Sequence, residues 1–346
     1  MNARVQTLMQ SLADTEAYYI TDAKCVRYYS GFSGEGTLLV SPCGCVLFTD
    51  SRYTEAAGKE TDIRIYDIAG GLKNGFPEGV SHIKICEQHI TLAYYNRLKS
   101  LFPDTEFSSD EGAILKGRLI KDAAELDCIK KASSIAEMAY ENLLDRIRVG
   151  VTEKELALAF EWMCRKNGAE GMSFDMIVAS GPHSSMPHAT VTDRALERGD
   201  FITFDFGCVY NGYCSDMTRT VALGCVTDEQ QKVYDTVLRA QLAGLSAVKA
   251  GALCSAADAA ARDVIASAGY GQYFGHSLGH GVGMDVHEGP NLSPKSEATL
   301  QDGMVVTVEP GIYLPGKFGV RIEDLVVVNG QKCEILTKNS KDLRII

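Results

Sequence analysis

Residues Gly199-Asp200-Phe201-Ile202-Thr203-Phe204-Asp205 are answered 104 positions later by Gly303-Met304-Val305-Val306-Thr307-Val308-Glu309. Each stretch is a glycine turn and an apolar, β-rich run that ends on a carboxylate, the pattern of a buried strand with one expensive residue. The same programme surrounds both. From Ala123 to Arg148, apolar residues at Leu126, Ile129, Ala132, Ile135, Met138, Ala139, Leu143 and Ile147 form a stripe of 3.6-residue period. Thr152 with Glu155 spells a capping box that opens a second helix, and Gly168 is placed to end it. Strand-like runs follow at 176–179, Phe201–Phe206 and 218–223. In the second round Thr227 with Gln230 opens a long helix to about Lys249. Ser255 with Asp258 is expected to open a shorter one, closed by Gly269 or Gly271, before strands at 304–308 and 320–328. The spacing implies an internal duplication of about 100 residues, too short for a solenoid and suited to a pseudo-twofold domain with one site at the join.

The first 120 residues read differently. Strands are expected at 17–20, 37–40, 45–48 and 63–68, and helices at 50–59 and 91–101, which makes a mixed α/β domain. The expected division is therefore 1–120 and 121–346.

Composition narrows the function classes. Of 346 residues, 45% are apolar and 23% charged, the profile of a globular protein with two cores. No apolar run reaches the roughly 18–20 residues of a membrane helix. A net charge of −11 argues against nucleic acid and anionic membrane as partners. The first 20 residues lack a signal-peptide pattern, and the eleven cysteines are scattered and odd in number. Reduced thiols and a cytoplasmic location are expected. Cys43-x-Cys45 lacks the partner spacing of a zinc site. Cys208 and Cys214 read as packing residues.

The carboxylates carry the chemistry. Asp205 and Glu309 each end an apolar strand, and Asp216 and Glu323 follow 11 and 14 residues later, each before another apolar run. A duplication would bring all four together. Four free anions in one pocket would drive protonation, and a pair of divalent cations resolves the conflict. Residues 275–290, GHSLGHGVGMDVHEGP, hold three of the seven histidines among glycines that let backbone approach a site. Oxygen donors with one imidazole suit Mn²⁺ first, with Co²⁺, Fe²⁺ or Zn²⁺ as alternatives. Two such ions roughly 3.5–4 Å apart activate a bridging water and polarise a carbonyl, which is hydrolase chemistry.

These residues resemble the pita-bread metallopeptidases, the group of methionine aminopeptidase, aminopeptidase P and prolidase. Asp205, Asp216, His280, Glu309 and Glu323 fill that family's ligand order. FTDSRYTEAA at 48–57 and YYSGFSGEGTLLV at 28–40 look like the creatinase-like N-terminal domain of its aminopeptidase P and prolidase branch. The resemblance implies an N-terminal creatinase-like α/β domain and a pita-bread catalytic domain. It implies that Asp205 binds one metal, His280 with Glu309 the other, and that Asp216 and Glu323 bridge. Glu309 would also carry the proton from water to the leaving nitrogen, and His188 and His287 would contact substrate and the developing oxyanion. His276 and Arg321 would orient ligands. His183 departs from the family's usual asparagine and reads as a loop residue, with a substrate-shaping role as the alternative. The implied activity is hydrolysis of the Xaa-Pro bond at the N-terminus of peptides, by a homodimer. The alternatives are an Xaa-Pro dipeptidase and a non-catalytic or creatinase-like member of the fold. Because His280 belongs to the second copy alone, the two metals should be inequivalent.

Overall fold

The computed structural model describes residues 3–346. The chain divides into two compact units between Arg118 and Leu119.

The first unit is built on a six-stranded mixed sheet. Its strands run in the order Arg64–Asp67, Gly44–Thr49, Thr37–Ser41, Glu16–Ile20, His82–Ile85, Glu106–Ser109. The central three are antiparallel and carry alternating core residues such as Tyr19, Leu39 and Phe48. The outer three add in parallel, after helical or 3-10 connections. Two of these strands, His82–Ile85 and Glu106–Ser109, were not expected, because their residues are half polar. The helix expected over 50–59 is confined to Thr54–Glu60, since the preceding residues form a turn in which Asp50 accepts from the Arg52 amide and guanidinium. Cys43 sits in the tight turn between Thr37–Ser41 and Gly44–Thr49, where Gly44 takes φ +141°. All eleven cysteines are free thiols.

The second unit repeats itself. Helices Ala123–Leu144 and Glu153–Lys166 cover one three-stranded sheet, ordered Met217–Ala222, Phe201–Phe206, Ile177–Ser180. Helices Asp228–Ala247 and Cys254–Ser267 cover a five-stranded sheet that includes Gly279–Gly281, Val305–Val308 and Asp324–Asn329. Capping boxes close at Thr152 with Glu155 and at Thr227 with Gln230.

The box expected at Ser255 does not form. The helix begins at Cys254 with Leu253 as its cap, and no side chain supplies the cap bond. The Cys254 amide donates instead to the Ala298 carbonyl at 2.9 Å, so backbone satisfies an orphan donor of the first turn. Asp258 is buried, paired with Arg262 at 2.7 Å, and accepts from the Leu278 amide at 3.0 Å. The run expected as one strand over 320–328 is two, Phe318–Arg321 and Asp324–Asn329, broken at Ile322-Glu323.

Strand period places the carboxylates. Ile202, Phe204 and Phe206 pack into the first helix pair, which leaves Thr203 and Asp205 on the opposite face. Val306 and Val308 pack into the second pair, which leaves Thr307 and Glu309 opposite. In each copy a small hairpin interrupts the ladder: Cys208–Tyr210 with Tyr213–Cys214, and Gly311–Leu314 with Phe318–Arg321. The chain leaves each hairpin at Asp216 and at Glu323. The copies meet where the Glu323 amide donates to the Thr218 carbonyl at 3.1 Å. Among the described residues no helix is long and apolar enough to cross a membrane.

Candidate active site

A cavity of about 800 Å³ opens at this join. Asp205, Asp216, His280, Glu309, Glu323, His188, His276, His287 and Arg321 all line it. The five expected ligands and the four expected accessory residues therefore share one space.

They do not group evenly. Ligand atoms of Asp216, His280 and Glu323 lie within 4.8 Å of one another. His280 Nε2 is 3.6 Å from Asp216 Oδ2 and 3.3 Å from Glu309 Oε1. Its Nδ1 lies 3.1 Å from the Gly281 carbonyl, an acceptor only, so Nδ1 carries the proton and Nε2 faces the carboxylates. Thr307 fixes two ligands at once: its hydroxyl accepts from the His280 amide and donates to Glu309 Oε1, each at 3.0 Å. Thr218 Oγ1 donates to Glu323 Oε2 at 2.7 Å.

Arg321 organises the other side. It donates to Asp205 Oδ2 at 2.6 Å, to the Tyr313 hydroxyl at 2.7 Å, to Thr218 Oγ1 at 3.1 Å and to the Pro187 carbonyl at 3.2 Å. The Tyr313 hydroxyl is 2.9 Å from His276 Nε2, and His276 Nδ1 is 2.8 Å from the Ser277 carbonyl. Only one orientation fits: Arg321 donates to Tyr313, Tyr313 to Nε2, and Nδ1–H to Ser277. That orientation needs a neutral His276, and burial lowers its pKa accordingly. His287 lies edge-on to His280, ring centroids 4.3 Å apart, and burial and the His280 charge push its pKa down.

The cluster crowds buried carboxylates together. Burial, then the neighbouring carboxylates, push Asp216 and Glu323 well above the usual carboxylate range. Burial would also raise Glu309, but the His280 hydrogen bond and charge outweigh it and hold it at about 2. Without cations the cluster keeps protons where ligand lone pairs should be. Asp205 lines the same cavity, and its Oδ1 is buried and has no hydrogen-bond partner. Hard oxygen donors, one imidazole presented by the correct nitrogen and an orphaned carboxylate oxygen fit divalent cations.

Glycine lets His280 reach this place. A Cβ on Gly279 would lie 2.0 Å from the Thr307 carbonyl oxygen, and one on Gly281 would lie 2.0 Å from that of Gly289. Both obstacles are backbone. Gly279→Ala is expected to weaken Mn²⁺ binding about 10–100-fold, the cost of misorienting a ligand, read by titration calorimetry; unchanged affinity refutes the steric argument.

Sequence reading missed Tyr313, Thr307 and Glu153. The first two carry no signal beyond the aligned threonines of the repeat, Thr203 and Thr307. Glu153 is one of two acidic residues in the first turn of its helix, a common position that carries no signal of its own. His183, read as a loop residue, lies in the 3-10 turn Gly181–Ser185 with its Nδ1 2.9 Å from Glu153 Oε1. Cys208 and Cys214 are buried.

Residues 127–330 match the model of metallopeptidase family M24, and residues 2–120 match the creatinase/prolidase N-terminal domain. The Xaa-Pro dipeptidase of Pyrococcus furiosus is 36% identical over 356 residues, covering 99% of this chain and 100% of that one. Two solved structures superpose with similar closeness. An X-Pro aminopeptidase from Thermotoga maritima gives a TM-score of 0.93 at 40% identity, covering 99% of this chain and 100% of the other. An Xaa-Pro dipeptidase from Bacillus anthracis gives 0.94 at 40% identity, covering 99% of each.

Proposed function

We infer, for a chain that belongs to metallopeptidase family M24 and carries its creatinase/prolidase N-terminal domain, that it is a metal-dependent peptidase releasing the N-terminal residue from Xaa-Pro peptides. The observation that carries this reading is the gathering of Asp205, Asp216, His280, Glu309 and Glu323 in one cavity, with an orphaned carboxylate oxygen and an imidazole turned to receive a cation.

These five residues would hold two divalent cations, Mn²⁺ first in our assignment. When bound, the cations polarise the scissile carbonyl and acidify water. Glu309 takes the proton of the attacking water and returns it to the leaving nitrogen. His287, neutral against the His280 ring, and His188 supply hydrogen-bond donors to the oxygen that gains charge. Arg321 holds Asp205 by one nitrogen and the Pro187 carbonyl, next to His188, by another. One guanidinium thus sets the distance between a ligand and a substrate-facing histidine.

Between the two activities borne by its relatives, we favour the aminopeptidase. The cavity is near the upper end of the roughly 300–1,000 Å³ of ligand pockets. It extends past the carboxylates to Phe174, Val191 and the Leu158 and Glu161 side chains of the Glu153–Lys166 helix. We also propose a homodimer and a cytoplasmic location, the latter on the eleven free thiols.

The test is a Mn²⁺-loaded assay comparing Ala-Pro with Ala-Pro-Xaa and longer peptides. Release of alanine from the longer substrates, abolished by a chelator and restored by metal, is expected. Activity confined to the dipeptide makes the enzyme a dipeptidase, and no cleavage at any metal concentration overturns the assignment.

A further inference from the structure

His188 lies on a long connection between the Ile177–Ser180 and Phe201–Phe206 strands, and a loop of that length does not hold a side chain to a fixed position unaided. Its two ends converge on one carboxylate. Glu153, fully buried at the first turn of its helix, accepts on Oε1 from the Ser180 amide at 2.8 Å, the Ser180 hydroxyl at 2.7 Å and His183 Nδ1 at 2.9 Å. It accepts on Oε2 from the Thr192 amide at 3.1 Å and the Thr192 hydroxyl at 2.7 Å. The Glu153 and Lys154 amides donate back to the Arg194 and Thr192 carbonyls at 3.1 and 3.2 Å. Arg194 joins the same knot, donating to Ser180 Oγ and to Asp200 Oδ2, each at 2.6 Å. Residues 183 to 192 are therefore a ring tied at one carboxylate, with His188 at mid-span.

Burying an anion at this cost has a stability-only explanation if its donors were local to the helix. They are not: they come from both flanks of the loop, 27 to 39 residues away. The carboxylate remains ionised because the hydrogen bonds from His183, Ser180 and Thr192 outweigh the burial that would raise it.

We propose that Glu153, with His183, is the positioning residue for His188: it closes the 183–192 ring and so fixes the substrate-facing imidazole. The inference rests on the peptidase reading above, and it assigns His183 a role that a plain loop residue lacks. A glutamine cannot replace this glutamate. Its amide nitrogen accepts nothing, so either the Ser180 or the Thr192 backbone N–H is left facing a donor. One end of the ring is then released.

The test compares the full-length protein with Glu153→Gln, alone and in a His188→Ala background, by two readouts. The first is hydrogen–deuterium exchange of the apo protein, which needs no activity: exchange in 183–192 is expected to rise at least about tenfold with the helices unchanged. The second is kcat on Ala-Pro-Xaa at saturating metal. A displaced catalytic group costs on the order of 10²-fold, so Glu153→Gln is expected to lower kcat about 10–100-fold while KM moves less than about threefold. In the His188→Ala background the same change should cost less than about threefold, since it acts through a side chain already gone. His183→Asn, which keeps an amide donor near the Nδ1 position, should retain kcat, and His183→Ala should not. Should Glu153→Gln fail to fold, Thr192→Val removes one hydroxyl donor at constant shape, and the same pattern is expected at smaller amplitude. Equal costs in both backgrounds, or unchanged exchange in 183–192, overturn the proposal. A native protein that cleaves no Xaa-Pro peptide overturns the activity instead, and the exchange result alone then decides whether Glu153 ties the loop.

Discussion

Glu309→Gln is expected to lower kcat on an Ala-Pro-Xaa tripeptide by at least about 10³-fold, within the 10²–10⁴ attributed to a positioned acid–base group. The substitution keeps an oxygen for the Thr307 hydroxyl bond at 3.0 Å, so the local fold should survive. What it removes is a carboxylate 3.3 Å from the His280 ring. Two losses follow and can be separated. Weaker metal binding is a ligand effect that excess Mn²⁺ should restore. A kcat that stays low at saturating metal reports the missing proton acceptor. Calorimetry for affinity and stopped assays for kcat resolve them; a variant within tenfold of native at saturating metal would show that Glu309 is not the proton carrier.

The second large effect concerns stability. Arg219 is almost fully buried one layer beneath Glu323, and Asp324, fully buried, receives its Nη2 at 2.8 Å. The guanidinium also donates to the Thr218 and Glu323 carbonyls and, across more than a hundred residues, to those of Asn339 and Ser340. Gln241, Thr337 and Lys341 complete the shell around Asp324. Arg219→Met keeps the stem and removes every donor. Breaking a buried pair from one side costs about 3–5 kcal/mol. For a unit of this size that lowers the Tm by about 6–20 °C, at roughly 2–4 °C per kcal/mol. Arg219→Lys should fall between, because a point charge cannot reach five acceptors from one position. A shift under about 2 °C for Arg219→Met in differential scanning calorimetry would contradict the account.

The carboxylates were legible in the sequence because repetition and strand period act together. Once 199–205 aligns with 303–309, the alternation of side chains fixes which face Asp205 and Glu309 take. The boxes at Thr152 and Thr227 were legible because their chemistry is contained in four residues. Ser255-x-x-Asp258 has the same spelling, but Asp258 is drawn off by Arg262 and the Leu278 amide, and residue 298 caps the helix. That competition is tertiary and invisible to a local motif. Tyr313, Thr307 and Glu153 were unreadable for a related reason: each is a common residue type whose partners lie far off in the chain. The 320–328 run was misread because apolar residues flank Glu323 on both sides, which hides the break where that ligand turns inward.

The repeat also ends in inequality at its threonines. Thr307 spans His280 and Glu309, while its counterpart Thr203 meets the Thr220 hydroxyl at 3.1 Å.

The carbonyls that Arg219 requires carry a consequence for synthesis. Chains emerge from the ribosome N-terminal end first and their domains fold as units. Asp324 lies 105 residues after Arg219 and can reach it first, while Asn339 and Ser340 lie 120 and 121 residues after it. Until they emerge, a guanidinium under the ligand strand faces the interior short of acceptors. The layer beneath Glu323 therefore closes only once residue 340 has emerged, more than a hundred residues after Arg219 itself.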